Sequence, residues 1–283
     1  MKLSMLKLLT IVSLLSTSLL ASKKIDESIL NYETKKVSSI LKRRDIILNN
    51  VDILLKKDLK QNGWYGYTFN LTFTVQGKTL SQKDTLFTNG DLITSDLINS
   101  KTKSSFKDIM YPKLSKKFFD KEYFIAGNPK SKNTLVLFSD PLCPICVDEV
   151  PTIIKNVMDN PQNIALYYYS LPLPMHPTAA ALSKASKIAH QMGIKDVQYK
   201  LYSANLGSLY KAYEEKDDQI ALNHFNTLFK TNITVEQINS DKLNKKLQYQ
   251  LDMSEEAFVN GTPTLFLNGE IDKTRTEYEK YLK

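Results

Sequence analysis

From Trp64 to Gln76 the chain alternates, with Tyr67, Phe69, Leu71, Phe73 and Val75 on one side and Thr68, Asn70, Thr72 and Thr74 on the other. A period of two predicts a strand with one buried face. Gln76-Gly77-Lys78 turns the chain into KTLSQKDTLF, and Asn89-Gly90 turns it again into DLITSDLI, so an antiparallel meander is expected. Ahead of it, residues 24–60 carry Ile29, Leu30, Val37, Ile40 and Leu41 among charges. They read as a helix followed by an element through DIILNNVDILL whose type the pattern leaves open. Polar, Lys-rich NSKTKSSFKD reads as a connector.

From about Lys121 the pattern changes. NTLVLFS is a short continuous apolar run, suited to a strand covered on both faces. A helical stretch VDEVPTIIKNVMD follows, then a second buried strand NIALYYYS, in which Tyr167, Tyr168 and Tyr169 read as packing residues. LPLPMHP is a proline-rich turn, and Pro177 suits the first position of a helix TAAALSKASKIAHQM that stops at Gly193. Helical pattern continues to Ala257 and includes Thr234 and Gln237 at capping-box spacing. FVNGTPTLFLNGEID then gives a turn, a short strand and an Asn268-Gly269 hairpin, and Thr276 to Lys283 reads as a terminal helix. The expectation is an α/β (α+β) protein with a leader at 1–22, an amino-terminal domain at 23–100, a linker at 101–120 and a second domain at 121–283, whose helical stretch runs over about 176–257.

The leader rests on Lys2 and Lys7, an apolar run from Leu8 to Leu20, and small residues at Ala21 and Ser22, the build of a secretory signal peptide. That run is shorter than the roughly 20 apolar residues that span a bilayer. Without Lys2 and Lys7 the 38 Lys and Arg become 36 against 30 Asp and Glu, a formal charge of +6. The lysines are scattered through polar faces, as in YKAYEEKDD, and so do not form a nucleic-acid surface. A mature chain of about 260 residues exceeds the usual single domain.

Both cysteines of the chain lie in SDPLCPICVDEVP. A Cys-x-x-Cys disulfide closes too short a loop to staple a fold of this size. Zinc would need four ligands, and His176, His190 and His224 stand at no recognisable ligand spacing, so no metal or other cofactor is expected. Redox exchange is the reading that the spacing favours. Cys143, directly after a buried strand and at the start of a helix, would face unpaired N–H groups and the positive end of the helix dipole, which favour thiolate. It should be exposed and acidic. Cys146, one turn later, would be shielded and placed to resolve a mixed disulfide at Cys143. Pro144 removes a donor that the first helical turn would not use.

NTLVLFSDPLCPIC, with Pro151 eight residues after Cys143, resembles the thioredoxin fold, and NGTPTLFLNGE resembles that fold's loop in which a proline, here Pro263, is cis and faces the active-site cysteines. The helical stretch after His176 is similar to the insertion of the bacterial Dsb thiol:disulfide oxidoreductases. The helix and meander ahead of it are similar to the dimerisation domain of the DsbC and DsbG type. The resemblance implies a periplasmic protein that exchanges disulfides in unfolded or wrongly paired exported chains, with a membrane redox partner and a homodimeric state. A face bearing Tyr67, Phe69 and Phe73, hard to bury with one helix, adds to that expectation of self-association through residues 23–100. Thr262 would lie beside the disulfide.

The match has departures. Six residues before Cys143 the family commonly carries a buried acid, and here stands Leu137. That leaves water or Asp140 as proton acceptor, although Asp140 reads more readily as a solvated turn residue. Ile145 stands where a His would stabilise a thiolate, which implies a less extreme pKa. His176 reads as a turn residue, and Trp64 as amino-terminal core or dimer surface.

Overall fold

The computed structural model describes residues 23–42, 46–75, 77–206, 211 and 214–282. The expected leader therefore lies outside the described residues. The chain divides between Met110 and Tyr111 into two compact units. Residues 101–110 belong to the first and 111–120 to the second.

In the first unit, helix α1 (residues 23–42) is followed by strands β1 (Ile47–Asp58), β2 (Tyr65–Val75), β3 (Lys78–Thr88) and β4 (Ile93–Thr94), an antiparallel sheet in that order. The segment left open by the sequence is thus a strand. The period of two in β2 puts Tyr67, Phe69 and Leu71 in a core with Ile29 and Val37 of α1, Val51 of β1 and Leu86 of β3. The expected fourth strand is only two residues long. Thr94 ends it, because its hydroxyl donates to Asp96 O and accepts from Asp96 N, which turns the chain away from the ladder. Trp64 packs at the edge of a smaller cluster of Leu59, Phe87 and Met110.

The second unit is a five-stranded sheet in the order β5-β7-β6-β8-β9 with helices on it: β5 (Phe124–Gly127), β6 (Thr134–Ser139), β7 (Ala165–Ser170), β8 (Thr264–Leu267) and β9 (Glu270–Asp272). β6 and β7 are parallel and joined by α2 (Pro144–Asp159); the other pairs are antiparallel. β5 had no counterpart in the sequence reading. Its four residues are too few to show a period.

The apolar run of β6 splits by face. Leu135 and Leu137 lie in one core with Val150, Ile153 and Ile154 of α2. Val136 and Phe138 lie in another, where Phe138 stacks on Tyr169 with ring centroids 5.3 Å apart. Between β7 and β8 run α3 (Ala179–Gln191), α4 (Val197–Ser203), α5 (Asp218–Phe229), α6 (Val235–Ile238) and α7 (Asp241–Glu256). The first four of these close a third core, into which Leu142 also inserts.

Three local expectations change. Pro177 precedes α3, whose N-cap is Thr178. The terminal helix is a single 3-10 turn, Glu277–Tyr281, pinned where Glu277 N donates to the buried carboxylate of Asp272. Thr234 and Gln237 do form a capping box, but it heads the four-residue α6.

Candidate active site

β6 ends at Ser139, and the chain crosses Asp140-Pro141-Leu142 into α2 with Cys143 as its N-cap and Pro144 at the first helical position. The turn is held by Asp140. Its Oδ1 accepts from Leu142 N at 2.7 Å, and its Oδ2 accepts from Leu173 N and from His176 Nδ1, both at 2.7 Å. Asp140 is fully buried and His176 nearly so. The solvated-turn reading of Asp140 is therefore wrong. His176 does sit in a turn, but as the carboxylate's buried partner. A lone buried carboxylate would be costly, and three donors satisfy this one.

Both cysteines are free thiols. Cys143 is only 6% exposed and Cys146 not at all, so the expected order holds while Cys143 is far less open than its place at a helix start implied. What covers it is the loop before β8. Cys143 Sγ lies 3.5 Å from Thr262 O, and the Thr262–Pro263 peptide is cis, as expected. Pro144 and Ile145 stay on the surface, Ile145 with 52% of its area exposed. Pro151 lies inside α2, two turns beyond Cys143, and removes one backbone donor there.

The electrostatics separate the two sulfurs. A hydrogen bond from the Cys146 thiol pulls the Cys143 thiol down to about 5, helped by the Thr262 hydroxyl and the Cys146 backbone N–H and opposed by burial and by the Asp140 charge. Burial pushes Cys146 far up, and its hydrogen bond to Cys143 adds to that; the Asp140 backbone and the Ser139 and Thr262 hydroxyls act the other way. One sulfur is thus a thiolate near neutral pH and the other a thiol that donates to it. Thr262 Oγ1 is buried without a hydrogen-bond partner of its own, facing the pair whose pKa values it lowers. Among the described residues no three His, Cys, Asp or Glu side chains gather where they would hold a metal ion.

The sequence profile of the family described as Thioredoxin matches residues 120–283, more than half of the chain. The chain belongs to the thioredoxin family. It is similar to BdbD from Bacillus subtilis in the oxidised form, with 20% identity over 62% of this chain and 98% of that one and a TM-score of 0.43. It is also similar to a periplasmic thioredoxin-like protein from Salmonella enterica serovar Typhimurium (17% identity, 59% and 94% covered, TM-score 0.45). A third similar structure is the thiol-disulfide exchange protein alpha-DsbA2 from Wolbachia pipientis (19% identity, 59% and 89% covered, TM-score 0.45). No curated protein sequence matches the chain.

In this member of the thioredoxin family the fold brings Cys143, Cys146, Thr262 and Pro263 together from segments 119 residues apart. Ser139 and Tyr202 escaped the sequence reading. Tyr202 Oη donates to Ser139 Oγ at 2.7 Å, and Tyr168 Oη lies 2.8 Å from Tyr202 Oη, all three side chains being buried. The one available signal was a polar residue closing an apolar strand in step with Leu135 and Leu137. Tyr167 and Tyr169 are packing residues as expected, while Tyr168 joins this hydroxyl chain.

Proposed function

We propose that the protein is a periplasmic thiol:disulfide oxidoreductase and isomerase acting on exported proteins, with Cys143 as nucleophile and Cys146 as resolving cysteine. The observation that carries this reading is the split between the sulfurs: Cys143 is held down to about 5 at the N-terminus of α2, and Cys146 beside it is kept neutral by burial. A thiolate attacks a disulfide, and a neighbouring thiol one turn away then displaces the substrate from the mixed disulfide. Substrates are unfolded or wrongly paired exported chains, whose backbone would lie along Thr262 and Pro263 like an added strand, over Cys143. The leader-like sequence from Met1 to Ser22 supports export. Ile47, Leu54, Leu80 and Leu92, exposed on the first unit, support a homodimer formed through residues 23–100.

Trapping tests the assignment. Cys146→Ala should accumulate mixed disulfides with exported proteins, and Cys143→Ala should trap none and lose both insulin reduction and refolding of scrambled ribonuclease. Equal trapping by both variants, or turnover without Cys143, would overturn it. Protection of unfolded chains that survives Cys143→Ala would point to a chaperone instead.

The low pKa of Cys143 favours a second reading, disulfide formation. A stabilised thiolate makes the dithiol form stable and the disulfide correspondingly oxidising. Thiol alkylation in cells separates the two. A pair found mostly oxidised, and so kept charged by a membrane oxidant, indicates the oxidase; a pair found mostly reduced indicates the isomerase.

A further inference from the structure

The resolving step sets a problem that the cysteines do not solve by themselves. Cys146 is fully buried, yet it must carry negative charge when it attacks the mixed disulfide at Cys143. The position on β6 that faces α2 from within the sheet is Leu137, which is apolar and fully buried. Asp140 is close, but its oxygens are occupied by Leu142 N, Leu173 N and His176 Nδ1. Glu149 is paired with Arg275.

Ser139 is differently placed. It follows Leu135 and Leu137 on the same side of β6, the side that faces the core in which Cys146 lies, and its hydroxyl is among the groups that act to lower the Cys146 pKa. It also accepts from Tyr202 Oη at 2.7 Å. A serine hydroxyl has one proton. With its oxygen accepting from Tyr202, that proton is free to point at sulfur. Tyr202 Oη in turn lies 2.8 Å from Tyr168 Oη, and Tyr168 Oη donates to Ser139 O at 3.4 Å, so the two tyrosines hold Ser139 from both its hydroxyl and its backbone. Burial holds both tyrosines neutral throughout the working pH range, so the chain donates and never competes as a base. Hydroxyls aligned this way polarise one another in a low-dielectric interior.

We propose that the Ser139 hydroxyl, aligned by Tyr202 and Tyr168, is the group that stabilises the Cys146 thiolate during resolution. The proposal rests on the exchange reading above and adds to it a catalytic residue, Ser139, and two positioning residues, Tyr202 and Tyr168. In the step it serves, the Cys146 thiolate attacks Cys143 Sγ. The Cys143–Cys146 bond forms as the bond from Cys143 to the substrate sulfur breaks, the electron pair leaves on the substrate sulfur, and the proton that Cys146 carried is lost to water.

The test uses the full mature chain as dithiol and an aromatic disulfide, 5,5′-dithiobis(2-nitrobenzoate), as oxidant. Cys143 attacks first and releases one thionitrobenzoate; Cys146 then resolves the adduct and releases the second, so the two phases report the two sulfurs separately. Ser139→Ala and Tyr202→Phe should leave the first phase unchanged and slow the second about ten- to hundredfold, the factor that a hydrogen bond to a charged group is worth. The pH midpoint of the second phase should rise, and Ser139→Thr, which keeps a hydroxyl, should restore most of the rate. Tyr202→Phe keeps the ring in its packing, so the test survives if Ser139→Ala folds poorly. A second phase unchanged in both variants overturns the proposal, as does equal slowing of both phases, which would mark a structural effect. If the wild-type protein shows no first phase, the exchange reading itself fails and the proposal falls with it.

Discussion

His176 Nδ1 donates to Asp140 Oδ2 across 2.7 Å inside the protein, joining the turn that precedes Cys143 to the segment that leads into α3. Because the same carboxylate also accepts from Leu142 N and Leu173 N, the turn that carries Cys143 is tied both to its own backbone and to the segment before α3. Its charge also opposes the Cys143 thiolate.

Asp140→Asn should therefore have two effects of different kinds. Loss of charge-assisted bonds in the interior should destabilise the protein by about 1–3 kcal/mol, read from urea unfolding. Removing the negative charge beside Cys143 should move its thiolate midpoint further down, read from absorbance of the dithiol form at 240 nm. An upward shift would mean that Asp140 acts through the position of the turn rather than through its charge.

Thr262→Val separates tuning from stability at the other wall of the site. The hydroxyl is buried without a hydrogen-bond partner of its own, so in the oxidised protein, which has no thiolate for it to stabilise, its removal should leave the melting temperature unchanged or raise it slightly. The same change removes a group that holds the Cys143 pKa down, and alkylation of Cys143 by iodoacetamide at pH 5–6 should slow. A large loss of stability with unaltered alkylation would show the reverse assignment to be right.

The stability of the dithiol form should follow pH with a sign set by each sulfur. Cys143 is depressed from 9.0 to about 5 in the folded chain, so its contribution is fully present above its ordinary value and is lost as pH falls towards 5. Cys146 is raised, so its contribution is present below the ordinary thiol range and is lost as the unfolded chain ionises above it. The melting temperature of wild type relative to Cys143→Ser should rise from pH 5 to pH 8, with buffer ionisation corrected. A flat difference would contradict the depressed value.

Gly127→Ala tests the sheet rather than the site. Gly127 closes β5 at φ +89°, where a Cβ would stand 2.0 Å from Ile164 O and 2.9 Å from Val157 Cγ1. Ile164 O cannot withdraw easily, because it accepts from Asn128 N at 2.8 Å. The left-handed conformation alone costs about 1–2 kcal/mol, so a loss of at least about 2 kcal/mol is expected in chemical unfolding. Retained stability would show that β5 can shift away from α2 and β7.

Much of this protein was legible along the chain because the physics involved is local. A period of two marked β2, an unbroken apolar run marked the two-sided β6, and Cys143-Pro144-Ile145-Cys146 marked a pair of sulfurs at a strand-to-helix junction. The Thr262-Pro263 loop was readable for the same reason, as a turn before a short strand. What the chain alone left undecided were the encounters between distant polar atoms. Asp140 and His176 are 36 residues apart, and Ser139 and Tyr202 are 63 apart. Neither Asp nor Ser carries a periodicity that tells a buried partner from a solvated turn. Hydrophobic pattern specifies which face of an element is covered, and it does so one element at a time. Which hydroxyl meets which, and whether Cys143 is open or covered by the loop before β8, depends on how β6, α2, α4 and that loop pack together, and only the tertiary structure decides that.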